Sequence, residues 1–413
     1  MVERNKCMNV PELRFKGFKK EWDFCSVGDF YYFKNGLNKG KEFFGFGTPI
    51  VNFTDVFNNR GLTSDILKGR VSLSKKEISS FEVKKGDIFF TRTSETLEEI
   101  GYPSVMLDES NDTVFSGFVL RGRAINEDPL SDLFKKYVFF TNDFRKEMIR
   151  KSSMTTRALT SGTSIKKMEF YFPENKMEQE KIGIFHSIID KEIIFITTRI
   201  KLLKQIKTAS LQSMFPQEGE TVPKVRFKGF KEGWKKEKLG NLFKERIENN
   251  INGELLSVTI NNGIIKASDN GRFDNSNNDK SHYKVVKIGD IVYNTMRMWQ
   301  GASGYSAYEG IVSPAYTVII PQEQVFPLFF AYLFKTQSLI NRFRIHSQGL
   351  TTDTWNLKFA GFSIIEVCFP KSKLEQQKIA SYFCNLDKQI SLQTQRLEKL
   401  KQIKAACLDK MFV

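Results

Sequence analysis

The chain has 413 residues, enough for two to four domains with cores of their own. Lys and Arg number 63 against 47 Asp and Glu, and the net charge of +16 favours a polyanionic partner through phosphate neutralisation and counterion release. Five scattered cysteines (Cys7, Cys25, Cys368, Cys384, Cys407) form no Cys-x-x-Cys pair, and the three histidines (His186, His282, His346) lie far apart, which argues against a disulfide framework, a zinc site or a histidine-based triad.

In chain order, the opening Met-Val-Glu-Arg-Asn-Lys-Cys7 has no apolar signal core, and no run of about 18 uncharged apolar residues follows, so a cytoplasmic protein without a membrane span is expected. Pro11-Glu-Leu-Arg-Phe-Lys-Gly-Phe-Lys-Lys-Glu-Trp22 comes next, and it returns as Pro223-Lys-Val-Arg-Phe-Lys-Gly-Phe-Lys-Glu-Gly-Trp234 with 8 of 12 positions identical. A mixed block follows the first copy. Asp87–Thr91 and Tyr137–Phe140 read as short strands bounded by turn residues. From Asn175 the pattern changes. Asn175-Lys-Met-Glu178 reads as a helix-opening capping box, and Ile182, Ile189, Ile196 and Leu203 recur every seven residues, interleaved with His186, Ile193, Ile200 and Lys207. Pro216 ends that helix. In the second block Asp290–Tyr293 and Tyr316–Ile320 read as strands, and Leu328–Phe343 has helical spacing. Ser372-Lys-Leu-Glu375 then opens a second long helix. Its Ile379, Leu386, Gln393 and Leu400 interleave with Phe383, Ile390, Leu397 and Lys404.

Residues Pro173–Phe215 align without a gap on Pro370–Phe412, with 20 of 43 identical. The chain is therefore an internal repeat of four segments: a mixed block over 1–172, a helical region over 173–216, a second mixed block over 217–369 and a second helical region over 370–413. The expected fold is α/β (α+β): two globular domains joined by two long helices with a pseudo-two-fold repeat. For both apolar seams to bury on each other, the second helix must run back along the first as an antiparallel coiled coil, a rod of about 60 Å at 1.5 Å per residue.

The sequence carries no G-x-x-x-x-G-K-[ST] phosphate loop and no Pro-Pro, and so lacks the Asn/Asp-Pro-Pro-Tyr/Phe loop of an adenine methyltransferase. Gly45-Phe-Gly47 lacks the third glycine of a dinucleotide fingerprint and reads as a turn. These absences favour a recognition protein over an enzyme, with no catalytic centre, metal site or cofactor expected in the chain.

The duplicated motifs together resemble the specificity (S) subunit of type I restriction–modification systems over almost the whole chain. Arg14-Phe-Lys-Gly-Phe18 with Trp22, and Arg226-Phe-Lys-Gly-Phe230 with Trp234, look like the start of each half in that family. Glu178-Gln-Glu-Lys-Ile182 and Glu375-Gln-Gln-Lys-Ile379 look like the opening of its helices, and Leu203–Phe215 and Leu400–Phe412 like their ends. The resemblance implies that each mixed block is a target-recognition domain reading one half of a bipartite double-stranded DNA site, with the helices setting the gap. It further implies two modification (M) subunits carrying S-adenosylmethionine, and restriction (R) subunits adding ATP-driven cleavage. The unlike blocks imply an asymmetric site.

Two segments in each block are candidates for DNA contact. Thr91-Arg-Thr-Ser94 follows Gly86-Asp-Ile, and Asn294-Thr-Met-Arg-Met-Trp-Gln300 follows Gly289-Asp-Ile. Arg92, Arg297 and Gln300 suit base edges, and Thr93 and Ser94 suit phosphates. Later in each block, Thr156 and Arg157, and Gln348, Thr351 and Thr352, lie in polar loops ahead of the helix. Arg14, Lys16, Arg226 and Lys228 belong to the copied motif and suit a shared job rather than discrimination. A free-standing bipartite DNA-binding regulator is the alternative reading. A self-sufficient methyltransferase or nuclease, and a coiled-coil scaffold, fit the residues less well.

Overall fold

The computed structural model describes residues 9–260, 263–270 and 279–413; Cys7 and the opening stretch lie outside them. The chain forms two compact units. The first comprises residues up to Thr197 together with Arg396–Val413, and the second is Thr198–Gln395. Two 38-residue helices, Lys176–Ser213 and Lys373–Lys410, therefore each give their first part to one unit and their last part to the other.

Each unit is built on the same sheet. In the first, strands Tyr31–Asn35, Val119–Ala124, Ile88–Thr91 and Pro103–Met106 lie side by side and antiparallel, with Gly61–Leu62 added in parallel at the edge. In the second, Phe243–Glu245, Tyr316–Pro321, Ile291–Asn294 and Ser303–Tyr305 repeat that order. A short antiparallel pair closes each block onto its helix: Asp23–Ser26 with Glu169–Phe172, and Lys235–Lys238 with Glu366–Phe369. Tyr137–Phe140 is not a strand. Its apolar run finishes the helix Asp132–Val138, which Ser131 caps by accepting from the Phe134 N–H at 3.4 Å. Phe134, Tyr137 and Val138 then fall at i, i+3 and i+4 and face the core together. The helical stretch 328–343 is two helices, Pro327–Leu333 and Gln337–Ile345, broken where the Thr336 hydroxyl turns back to the Leu333 carbonyl at 2.7 Å.

The copied entry motif clamps the start of each long helix. Arg14 Nε and Nη2 donate to Glu178 Oε1 and Oε2 at 2.7 and 2.8 Å, and Trp22 Nε1 lies 3.4 Å from Glu178 Oε1. Arg226 does the same to Glu375 at 2.7 and 2.9 Å, with Trp234 Nε1 at 3.3 Å. These glutamates do not fold back into capping boxes as their spacing suggested, because the two-pronged guanidinium pairing takes both carboxylate oxygens. The next residue is also buried and fully used. Gln179 donates to the Pro173 and Pro129 carbonyls and accepts from the Ser131 N–H, and Gln376 repeats this with Pro370, Gln324 and Phe326.

Within each unit the end of one long helix runs antiparallel to the start of the other. In the first, Lys404 pairs with Asp190, and Tyr137 Oη donates to the same carboxylate at 2.9 Å. In the second, Lys207 pairs with Asp387 at 2.5 Å, and Tyr332 Oη donates to it at 2.9 Å. Burial with the aspartate alongside holds both phenols above their ordinary pKa, so each is a donor. The tip of each returning helix supplies a phenylalanine. Phe412 packs on Trp22 and Phe134 with centroids 6.1 and 5.5 Å away, and Phe215 packs on Trp234 and Phe329 at 6.1 and 5.5 Å. The phenylalanine-rich composition is spent on two such clusters, one per unit.

One seam position breaks the match. His186 is fully buried, neither ring nitrogen has a hydrogen-bond partner, and Tyr137, Phe185 and Phe412 surround it. Phe383 holds the equivalent place in the second unit, where it packs on Phe215 at 5.8 Å. Burial lowers the His186 pKa to about 4, with nearby Arg60 and Lys404 pushing the same way and Asp190 opposing them.

Replacing Glu178 by alanine strands a largely buried guanidinium and is expected to cost about 3 kcal/mol; Glu375→Ala should cost as much in the second unit, both read from denaturant titration. For His186, the unfolded imidazole binds a proton as pH falls below its ordinary value near 6.5, before the folded one does. Stability contributed at this site is therefore complete above that pH and is lost between there and about 4. His186→Phe should remove that loss, so its melting temperature should diverge upward from that of the parent chain through this window.

Candidate nucleic-acid interface

The repeated Gly-Asp-Ile turns are the foundation of the interface. Gly86 and Gly289 take φ of 85° and 96°, a left-handed conformation that glycine adopts without strain. Asp87 Oδ2 accepts from the Lys84 N–H at 2.8 Å, and Asp290 Oδ2 accepts from the Lys287 N–H at 2.8 Å, which closes each turn. Arg123 grips Asp87 with two bonds of 2.6 and 2.7 Å, and Arg246 grips Asp290 with two of 2.9 Å. The two arginines come from different strands, so no repeat in the sequence marks them. The central strand that follows is thereby fixed, and it delivers the candidate loop.

In the first unit the two candidate segments join. Thr93 and Ser94 pair as a strand with Leu159 and Ala158, which pair in turn with Ser153 and Met154. The Arg92 N–H donates to the Phe118 carbonyl at 3.0 Å, the Arg92 carbonyl accepts from the Thr160 N–H at 3.1 Å, and Arg92 Nη1 reaches the Gly117 carbonyl at 3.4 Å. No described carboxylate pairs with Arg92. Phe118 stands beside it, 58% exposed. Thr156 and Arg157 are exposed at the hairpin tip, and Arg157 pairs with Glu95 at 3.2 Å. Thr93 is half-buried. Ser94 is buried beneath the hairpin, where its hydroxyl accepts from the Thr96 N–H at 3.4 Å.

The second unit brings its segments together with other side chains. The Thr295 N–H donates to the Ala315 carbonyl at 3.1 Å, and the Thr295 carbonyl accepts from the Leu357 N–H at 2.9 Å. Those are the bonds of Arg92, so Thr295 and Ala315 stand where the first unit has Arg92 and Phe118. Arg297 lies two residues beyond that place. It is exposed, while Gln300 is half-buried at the end of a single helical turn, Met298–Gln300. Trp299 is neither free nor in the core: its Nε1 donates to the Met296 carbonyl at 3.0 Å, and its ring meets Trp355 at 5.2 Å. Gln348 pairs with Asn356 through reciprocal backbone bonds of 3.0 and 2.8 Å, and Thr351 and Thr352 are exposed above them. The Thr351 hydroxyl lies 3.3 Å from that of Thr354.

Each loop closes on a left-handed glycine, Gly101 with φ 64° and Gly301 with φ 83°. Arg145 Nη1 donates to the Gly101 carbonyl at 3.0 Å, and Lys335 Nζ donates to that of Gly301. Burial lowers Arg145 to about 10 and Lys335 to about 8. Neither residue carries a signal in the sequence, since the cation comes from the helix Asn142–Lys151 in one copy and from the turn between two helices in the other. Among the described residues no group of three His, Cys, Asp or Glu side chains could hold a metal ion, and no helix is long and apolar enough to cross a membrane.

Residues 231–402 match the family model of the type I restriction modification DNA specificity domain. The segments that flank and scaffold this stretch recur in the first half of the chain. The chain thus carries a type I restriction modification DNA specificity domain in its second half. The S subunit of a type I restriction–modification system from M. genitalium shares the fold, with a TM-score of 0.60 and 15% identity over 98% of this chain and 99% of that one. The HsdS subunit from Thermoanaerobacter tengcongensis scores 0.46 at 13% identity, covering 95% and 96%. A structure described as bearing on complex assembly and conformational transition of the type I R-M system scores 0.49 at 13% identity, covering 94% and 97%. Comparison with curated proteins finds no match.

The apolar seam positions of the two long helices are buried or half-buried. Ile182, Ile189, Ile196, Ile200, Leu203, Ile379, Phe383, Leu386 and Leu397 are all buried on the long helices, and Ile193, Ile390 and Leu400 are half-buried. Sequence reasoning missed Phe118, Leu350 and Trp355, whose exposure or pairing depends on the folded loops. The second hairpin also contains a position that only glycine fits. Gly349 has φ +145°, and a Cβ there would lie 2.6 Å from the Thr354 carbonyl group. Gly349→Ala should open the hairpin at a cost of about 1–3 kcal/mol, seen as faster hydrogen exchange of the Asn356 amide while the Gln376 amide is unaffected.

Proposed function

We propose that this chain is the specificity subunit of a type I restriction–modification system and that it reads an asymmetric bipartite site on double-stranded DNA, one half with the block 1–172 and the other with the block 217–369, while the helical regions 173–216 and 370–413 set the spacing. One observation carries this reading: the same backbone hydrogen bonds hold Arg92 beside exposed Phe118 in one copy and a buried Thr295 beside exposed Ala315 in the other. A scaffold that is repeated while its loop residues differ gives two unlike reading surfaces, and unlike surfaces select unlike half-sites. Arg92, Thr93, Thr156 and Arg157 act in the first surface, and Arg297, Gln300, Gln348, Thr351 and Thr352 in the second. The chain itself is non-catalytic and cytoplasmic. Two modification subunits bring S-adenosylmethionine and transfer the methyl group to adenine, and restriction subunits bring ATP-dependent cleavage. The net charge of +16 supplies the attraction to phosphate that does not depend on sequence.

The test is genome-wide mapping of methylated adenine with the gene present and deleted. Deletion should erase one bipartite asymmetric motif, and an unchanged methylome would refute the reading. Arg92→Ala should relax or weaken recognition of one half-site by about 1–3 kcal/mol per base pair read and leave the other half of the motif as it was.

A further inference from the structure

We propose that Leu350 is a wedge: it enters the DNA of the second unit's half-site between neighbouring base pairs and deforms it there. The inference rests on the DNA-reading function proposed above and adds a mechanical role to one of the two surfaces.

Leu350 has a relative exposure of 101%, the highest of the described large apolar side chains. A single exposed leucine is ordinary on a protein surface; its mounting is what sets this one apart. The hairpin that carries it is closed at its base by the reciprocal Gln348–Asn356 bonds. Its far side is a bonded turn, in which the Thr354 and Trp355 N–H groups donate to the Thr351 carbonyl at 3.0 and 3.1 Å. Gly349 takes the one conformation that turns the chain just before the leucine, at a place where a Cβ would strike the Thr354 backbone. Trp355 then braces the hairpin edge-on against Trp299, with the rings 77° apart. A loop built in this way holds an apolar side chain out into water instead of letting it collapse.

The surroundings suit nucleic acid rather than an apolar partner. Gln348, Thr351 and Thr352 are exposed on the same hairpin, as is the carboxylate of Asp353; exposed Arg344 lies on the helix leading into it, and exposed Arg297 lies on the loop whose Trp299 meets Trp355. Exposed Ile345, at 72%, and Met296, at 41%, lie on the segments leading into the same loops. Apolar wedges flanked by polar and basic groups are how DNA-bending proteins unstack a base step, with the bend bringing more of the duplex into contact. The first unit differs. Its hairpin from Ser153 to Leu159 is two residues shorter than the one from Gln348 to Asn356 and puts Thr155 and Thr156 at the tip. The deformation is therefore confined to one half-site, which gives sequence preference through the ease of unstacking as well as through base contacts.

The experiment uses the full chain assembled with its modification partners and a duplex bearing the mapped motif, dye-labelled at both ends. Affinity and end-to-end distance by energy transfer are compared for the parent, Leu350→Ala and Leu350→Met. The parent should shorten the distance between the dyes. Leu350→Ala should bind about tenfold more weakly, leave the duplex straighter and keep the same salt dependence, since no charge is removed. Leu350→Met, which keeps an apolar wedge, should restore both. Unchanged affinity and distance with Leu350→Ala would overturn the wedge. So would failure of that variant to assemble with the modification partners while assembled complexes bind DNA normally, for the leucine would then be a protein contact. If the parent complex recognises no bipartite motif, the functional reading falls first and the wedge with it.

Discussion

A buried ion pair at the first turn of each long helix holds the molecule's two halves in form. Arg14 with Glu178, and Arg226 with Glu375, tie the entry segment of a block to the helix that leaves it. Each carboxylate is nearly inaccessible, and each arginine pairs with it in two-pronged geometry. Such pairs contribute little net stability over an apolar replacement, but losing one partner is costly. Their value here is geometric. Trp22 and Trp234 lie against the same carboxylates, and Phe412 and Phe215 meet those tryptophans edge-on. The start of one helix, the entry of its block and the end of the other helix are thus located by one cluster.

That arrangement explains which residues stayed alike between the copies. The Tyr–Asp–Lys sets, Tyr137–Asp190–Lys404 and Tyr332–Asp387–Lys207, join a block to its own helix and that helix to the returning one. A change in either copy would disturb packing inside a unit whatever DNA was read. The loops are free of this constraint. They are held from below by Gly-Asp-Ile turns and closed by a left-handed glycine, and what they display does not feed back on the core. Arg92 and Thr295 share a backbone position and nothing else. Recognition can diverge on such a platform without loss of fold.

Much of the architecture was legible in the chain. The heptad spacing of isoleucine and leucine marked both long helices, and the copied motifs marked the two-fold repeat. Two local readings went otherwise, each for a tertiary reason. Tyr137–Phe140 is β-rich in composition, but Ser131 caps a helix ahead of it and the core takes its apolar face. Glu178 and Glu375 sit at capping-box spacing, but arginines distant in sequence claim them. His186 does occupy the buried seam position its spacing gave it, with both ring nitrogens unpaired where its counterpart is Phe383. That polar segments follow the Gly-Asp-Ile strands and precede the long helices could be read. That the early and late loops meet, that Ser94 is covered and that Phe118 and Leu350 are exposed could not, because exposure is a property of the folded neighbourhood.

By itself, then, the sequence determined the repeat, the long helices with their buried seams, the basic charge and the resemblance of its duplicated motifs to those of specificity subunits. Those follow from spacing, composition and copied motifs, which need no partner to be seen. Only the tertiary structure decided that each unit takes the start of one helix and the end of the other, and that Arg92 answers to Thr295 rather than to Arg297. It alone set a glycine-turned hairpin to hold Leu350 in water. These depend on hydrogen bonds between segments far apart in the chain, and local pattern carries no information about which distant groups will meet.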